Sequence, residues 1–99
     1  MNYKISKDAT IDLEGIWIYT FENWSVDQAD RYLNLLLNEI EYLAENPYSG
    51  KNLNEVRKGY FLSPVKSHVI FYKLDLKNEE LLIIRILHKR MDIESFITK

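Results

Sequence analysis

Leu81-Leu82-Ile83-Ile84-Arg85-Ile86-Leu87-His88-Lys89-Arg90-Met91-Asp92 is the stretch that decides the fold. Its first part is an apolar run of strand length, and its end releases basic and imidazole side chains. A second apolar run, Val69-Ile70-Phe71-Tyr72, precedes it. A buried strand that ends this way places polar chemistry at the edge of a sheet. In a chain of 99 residues, that points to a protein whose work is done by a surface, on nucleic acid or on another protein.

Working outward, Lys77-Asn78-Glu79 reads as a turn joining strands over 67–75 and 80–87. The second of these is the most apolar, so it is expected at the centre of the sheet. Residues 57–62 enter an earlier strand, broken at Pro64. Beyond the strands, 93–99 is expected to add a short helix or a terminal strand. Upstream, Asn46-Pro47-Tyr48-Ser49-Gly50 stops a helix, because proline disfavours helical geometry in the residue before it. That helix opens at Ser25 with Gln28 three residues on, a capping-box pattern, and carries a stripe of Ala29, Tyr32, Leu33, Leu36, Ile40 and Leu43. Leu35 and Leu37 fall partly off the stripe, so a second contact is expected there, from the sheet or from a partner. An earlier helix is capped by Asp8, carries Ala9, Leu13, Ile16, Trp17 and Thr20 on one face, and closes at Asn23 and Trp24. Residues 3–6 alternate as a first short strand. The order β-α-α-β-β-β predicts one α+β domain over 1–99, an antiparallel helical hairpin packed on one face of a small, mainly antiparallel sheet.

The composition excludes several classes. Without cysteine there is no disulfide, thiolate nucleophile or zinc–thiolate site. No apolar run reaches the roughly 20 residues of a membrane span, and the N-terminus lacks a signal-peptide core, so a cytoplasmic protein is expected. Net charge is −2, yet its distribution is uneven. Residues 1–50 hold Lys4, Lys7 and Arg31 against nine acids, a balance of −6; the remainder holds ten cations against six acids, a balance of +4. The C-terminal half is therefore the electropositive one.

Familiar catalytic patterns are absent. Gly15, Gly50 and Gly59 are too scattered for a phosphate loop. Two histidines, His68 and His88, are too few for a histidine-rich metal site, so neither metal nor cofactor is expected. Ser25, Ser49, Ser63 and Ser67 read as caps and turn residues rather than nucleophiles. What remains is Arg57, Lys58, Lys66, His68, Arg85, His88, Lys89 and Arg90. Arg85 interrupts an apolar strand, so its guanidinium must reach water, an internal carboxylate such as Glu22 or Asp92, or a phosphate or carboxylate of a partner. Metal-free RNA cleavage needs an acid, a base and cations around the phosphate. His68 or His88 supply the first two types, and Arg85 or Arg90 the third.

An ordered set of residues along nearly the whole chain resembles the RelE/ParE toxin superfamily. The set comprises Ala9, Asp12-Leu13 and Ile16; Trp24-Ser25, Gln28-Ala29 and Tyr32; Leu43, Asn46-Pro47 and Gly50; Arg57-Lys58-Gly59-Tyr60; Ser67-His68-Val69-Ile70-Phe71-Tyr72; and Arg85 to Asp92. The ending Arg-Ile-Leu-His-x-x-Met-Asp points to the ParE branch. The resemblance implies a toxin of a type II toxin–antitoxin system that inhibits DNA gyrase and traps it on cleaved DNA, without catalysis of its own. The alternative within the superfamily is a ribosome-dependent mRNA endonuclease of the RelE type, for which Arg85, His88 and Arg90 are the catalytic candidates. That branch places a tyrosine a few residues beyond the last strand, where this chain has Phe96, whose ring cannot exchange a proton.

On the gyrase reading, Arg57, Lys58, Arg85, His88 and Arg90 form the target-facing surface. A ParD-like antitoxin is the implied partner in a hetero-oligomer, docking on the helical hairpin through Trp17, Trp24, Leu35 and Leu37. For both tryptophans the competing reading is a place in the core. DNA contact is expected only through the antitoxin or the gyrase complex.

Overall fold

A computed structural model describes residues 1–98. The elements run β1 (Asn2–Ile5), α1 (Lys7–Asn23), α2 (Val26–Glu45), β2 (Lys51–Asn52), β3 (Tyr60–Val65), β4 (His68–Asp75), β5 (Glu80–His88) and α3 (Ile93–Ile97). The sheet order is β1-β5-β4-β3-β2. All its pairings are antiparallel except β1 with β5, which runs parallel, with the helical hairpin and strands β2 to β4 between them in the chain. The expected α+β architecture is therefore present. Two details differ: β5 is interior but β4 is the middle strand, and Lys51–Asn52 adds a polar edge strand to a segment read as a connection.

The helices lie on one face of the sheet. Ala9 and Leu13 of α1 and Leu36, Ile40 and Leu43 of α2 pack with Phe61, Ile70, Tyr72, Leu81, Ile83 and Ile86 in one buried cluster. On the opposite face, Phe71 packs with Leu53 and Ile97, so α3 and the loop before β3 cover the far side. The stretch ending at Thr98 is thus helix rather than strand, while Lys99 lies outside the described residues.

Local chemistry accounts for the boundaries. Ser6, not Asp8, caps α1: its hydroxyl accepts from the Ala9 amide at 3.0 Å and donates to the Ile84 carbonyl at 2.7 Å. One side chain thereby starts the helix and ties it to β5, while Asp8 in the first turn meets the positive end of the helix dipole. Ser25 caps α2 as expected, accepting from the Gln28 amide at 3.1 Å. Strand β3 starts only at Tyr60, because Gly59 takes φ +84. It also runs through Pro64 to Val65, since β2 pairs only with Phe61 and Leu62. Past them β3 is a sheet edge, where a missing amide hydrogen removes no ladder bond. Ser63 is a strand residue, bonded through its hydroxyl to Glu39 of α2.

Gly50 is demanded by a close approach. A Cβ there would lie 2.8 Å from the Leu62 carbonyl oxygen and closer still to the Tyr72 hydroxyl. That hydroxyl donates to the Pro47 carbonyl at 2.9 Å and accepts from the Gly50 amide at 3.1 Å, pinning the chain after α2 onto β4.

A bulge in β5 sets the position of the functional end. Tyr72 pairs with Ile83, but Phe71 pairs with Arg85, so one extra residue sits in β5. The inward face passes from Leu81 and Ile83 to Ile86 across it. Arg85 is thereby turned toward the strand's open edge, beyond the last β1 pairing.

Candidate functional site

At that edge Asp12 of α1 accepts from Arg85 Nε at 2.8 Å, from Arg85 Nη2 at 3.0 Å and from the Ile86 amide at 2.9 Å. The two side chains are 14% and 28% exposed. The carboxylate replaces the strand neighbour that β5 lacks there, and its bidentate pairing holds the guanidinium more firmly protonated than usual. Neither Glu22 nor Asp92 is the ion-pair partner of Arg85. On its other side the guanidinium lies 5.2 Å from the centroid of the Phe96 ring.

Next to this pair, a cleft of about 950 Å³ opens between α1, α2, the β3–β4 turn and the end of β5. Pairing of Val65 with His68 leaves Lys66 and Ser67 as the two turn residues. Lys66 sits in the left-handed region at φ 54. His68 faces His88 across the β4–β5 ladder, with ring centroids 5.0 Å apart. Tyr32 of α2 reaches β3, β4 and the turn between them: its hydroxyl lies 2.6 Å from His68 Nδ1, accepts from the Ser67 amide at 3.2 Å, and is 3.4 Å from the Val65 carbonyl.

Between the Tyr32 hydroxyl and His68 Nδ1 the direction of donation follows the His68 tautomer. His88 Nδ1 accepts from the Arg90 amide at 3.0 Å, so the neutral His88 ring carries its proton on Nε2 as an N–H donor. Burial, followed by the charge of His88, lowers the His68 pKa to about 4, so this ring is neutral at pH 7.

The residues singled out in the sequence separate into groups. Arg85, His88 and Arg90 gather at one end of β5, with Lys66 and His68 beside them. Arg57 and Lys58 do not join them. Arg57 stacks on the Tyr60 ring at 4.3 Å, and Tyr60 pairs with Lys73, five residues along β4 from His68. That is about 17 Å at strand rise. The hairpin anchors also divide. Trp24, 64% exposed, and Leu35 border the basic cleft. Trp17 and Leu37 line a second, apolar groove of about 640 Å³ with Leu13 and Leu33. Trp17 is half-buried, donates to Asp30 at 2.9 Å and stacks on Phe21, while Leu37 packs on the core. The sequence pattern did not bring Tyr32, assigned to the core stripe, Arg31, hidden in the acidic half, Asp12, one turn from the buried Ala9, or Tyr19 to the cleft. The one available signal was Asp12-Leu13, an acid on the flank of an apolar stripe.

Among the described residues, no group of three or more His, Cys, Asp or Glu gathers as a metal site, and no helix is long and apolar enough to cross a membrane.

The architecture has solved counterparts. A chain of the chromosomal ParDE toxin–antitoxin system of Pseudomonas aeruginosa aligns with TM-score 0.76 at 16% identity, over 89% of this chain and 95% of that one. A chain of the RelBE2 toxin–antitoxin complex of Mycobacterium tuberculosis aligns with TM-score 0.68 at 19% identity, over 89% and 96%. Both chains share this fold. Sequence relatives narrow it. Toxin ParE1 of Mycobacterium tuberculosis is 38% identical over 92 residues, 93% of each chain. Toxin ParE1 of Caulobacter vibrioides is 37% identical over 95 residues, 96% of each. Toxin ParE of Escherichia coli is 32% identical, over 92% of this chain and 87% of its own. Residues 3–93 match the ParE toxin of type II toxin–antitoxin systems, parDE. The chain belongs to that family.

Proposed function

We propose that this toxin acts in the cytoplasm by binding DNA gyrase and trapping it on cleaved DNA, and that a ParD-like antitoxin neutralises it in a hetero-oligomer. It would work as one domain over 1–99 and without catalysis of its own. The observation that carries this reading is the state of Arg85. A phosphate clamp for RNA cleavage needs a cation free to meet developing charge, whereas this guanidinium is already held on both its Nε and Nη2 by Asp12. Phe96 beside it has no hydroxyl to exchange. Arg85 therefore serves the target surface through its position at the β5 edge, and His88 and Arg90 are the members of the set best placed for direct contact. Arg57 and Lys58 would form a second, separate contact at the far end of the sheet.

One observation favours the other chemistry. Tyr32, His68 and His88 supply titratable side chains within one cleft, as a ribosome-dependent RNA cleavage reaction requires. A single assay separates the two. Purified toxin is incubated with gyrase and supercoiled plasmid, and linear DNA is scored after protein digestion. Dose-dependent linear product that requires both proteins is expected. Intact plasmid and unaltered supercoiling, from a sample that still binds its antitoxin, would refute gyrase as target and shift the reading to mRNA cleavage on the ribosome.

A further inference from the structure

The cleft is electropositive on a chain of net charge −2. Lys66, Arg31 and Arg90 line it, and among the described residues none of the three forms an ion pair within 4.0 Å; the pairs present are Lys4 with Glu80 and Arg85 with Asp12. The acid in the wall, Asp12, is thus already neutralised. Lys66 is held at φ 54 in a two-residue turn, where glycine or asparagine is the unstrained choice. A left-handed lysine costs backbone energy and keeps an ammonium at the cleft mouth. His88, whose Nδ1 accepts from the Arg90 amide, adds an Nε2–H donor rather than a lone pair, which suits an anion and disfavours a metal ion.

The remaining wall is aromatic. Trp24 and Tyr19 are 64% and 61% exposed and meet edge to face at 6.2 Å. Their ring surface stays open to solvent, and such surfaces accept the flat face of any base. Cations on several elements and a neutral N–H donor fit a tetrahedral group with three terminal oxygens better than a planar carboxylate. The volume is of the size that holds a small organic ligand.

We infer that this cleft is a nucleotide site, with the phosphate held by Lys66, Arg90 and His88 and the base laid against Trp24 and Tyr19. The ligand chemistry is a phosphorylated nucleoside, either free or as one unit of a single strand. The site does not depend on gyrase being the target, since it is read from the isolated toxin and tested on it.

The test uses a Trp17→Phe variant, in which Trp24 is the sole tryptophan, so that emission reports the cleft. It is titrated with adenosine 5′-monophosphate, adenosine, inorganic phosphate, a thymidylate hexamer and the acidic peptide acetyl-Asp-Leu-Phe-Glu-amide. Saturable binding of the monophosphate is expected with a dissociation constant below about 1 mM. Adenosine and phosphate alone should bind at least about tenfold more weakly, because each keeps half the contacts. Lys66→Ala and Arg90→Ala should each weaken the monophosphate about three- to tenfold with an unchanged melting temperature. Tighter binding of the hexamer assigns the ligand to a strand; tighter binding of the monophosphate assigns it to a free nucleotide. Should Trp17→Phe fold poorly, amide shifts of Ser67, Lys89 and Arg90 in the unaltered chain give the same readout. Three results would overturn the inference: no saturable change with any nucleotide, phosphate binding as tightly as the monophosphate, or peptide binding where nucleotides are inert.

Discussion

Asp12→Ala removes the carboxylate that Arg85 and the Ile86 amide share. The change leaves a partly buried guanidinium without its counter-charge and an edge amide without an acceptor. An exposed pair contributes under about 1 kcal/mol, and breaking a fully buried one costs about 3–5 kcal/mol. Side-chain exposures of 14% and 28% place this pair between those limits. Adding part of the roughly 1–3 kcal/mol penalty of an unsatisfied amide, we expect a loss of about 3 kcal/mol. For a domain of this size that lowers the melting temperature by more than about 10 °C. Asp12→Asn keeps an oxygen for one donor and should lose about half as much. Urea unfolding of Asp12→Ala, Arg85→Ala and the double variant then forms a cycle, with an expected coupling of about 1–2 kcal/mol. Additive single losses, or an Asp12→Ala chain within about 0.5 kcal/mol of the parent, would show that the pair does not hold the β5 edge.

The His68 pKa, lowered to about 4 by burial and then by His88, makes stability depend on pH. The unfolded ring takes up a proton below about 6.5 while the folded ring does not until about 4, so this contribution is complete above 6.5 and lost as pH falls toward 4. After discounting for solvent screening the loss is on the order of 2 kcal/mol, measured as the difference in urea midpoint between pH 7.5 and 4.5 that His68→Gln abolishes. Gly50→Ala forces a Cβ against the Leu62 carbonyl and the Tyr72 hydroxyl and should cost about 2–3 kcal/mol in thermal or urea unfolding. Leu35→Ser should weaken antitoxin binding by about tenfold or more with little change in melting temperature, since Leu35 is 42% exposed; Leu37→Ser should instead lower the melting temperature, because Leu37 packs on the core. Normal antitoxin binding by Leu35→Ser, measured by calorimetry, would remove that side of the hairpin from the docking surface.

What the sequence displayed were features with a short physical range. The stripe from Ala29 to Leu43 predicts α2 because helical spacing puts those residues on one face, and Lys77-Asn78-Glu79 predicts its hairpin from turn chemistry alone. The bulge in β5 was hidden for a definable reason. Leu81, Leu82, Ile83 and Ile84 are all apolar, so the run carries no alternation from which a change of face could be detected. An arginine in an apolar strand demands water, a carboxylate or a ligand, and the carboxylate that Arg85 meets stands 73 residues earlier in the chain. Locally Asp12 shows only as an acid on the flank of an apolar stripe, which does not tell that its partner lies on the last strand. Likewise Lys51-Asn52 pairs with β3 through backbone groups alone, which two polar side chains cannot announce.

Charge segregation in the sequence only half anticipates the cleft. Counting charges assigns cations to the second half, and Lys66 and Arg90 come from there. Arg31 comes from the acidic half, brought to the cleft by the helical hairpin's packing on the sheet. The fold also removes charge: Arg85, the cation most deeply set in an apolar strand, is cancelled by Asp12, while the unpaired cations that line the cleft lie in the turn, on α2 and just past β5. Electropositivity here is therefore produced by which ion pair forms rather than by how many basic residues the segment holds. A variant that releases Arg85 should then change the cleft's field as well as the fold's stability, and the salt dependence of target binding in Asp12→Asn is where that difference appears.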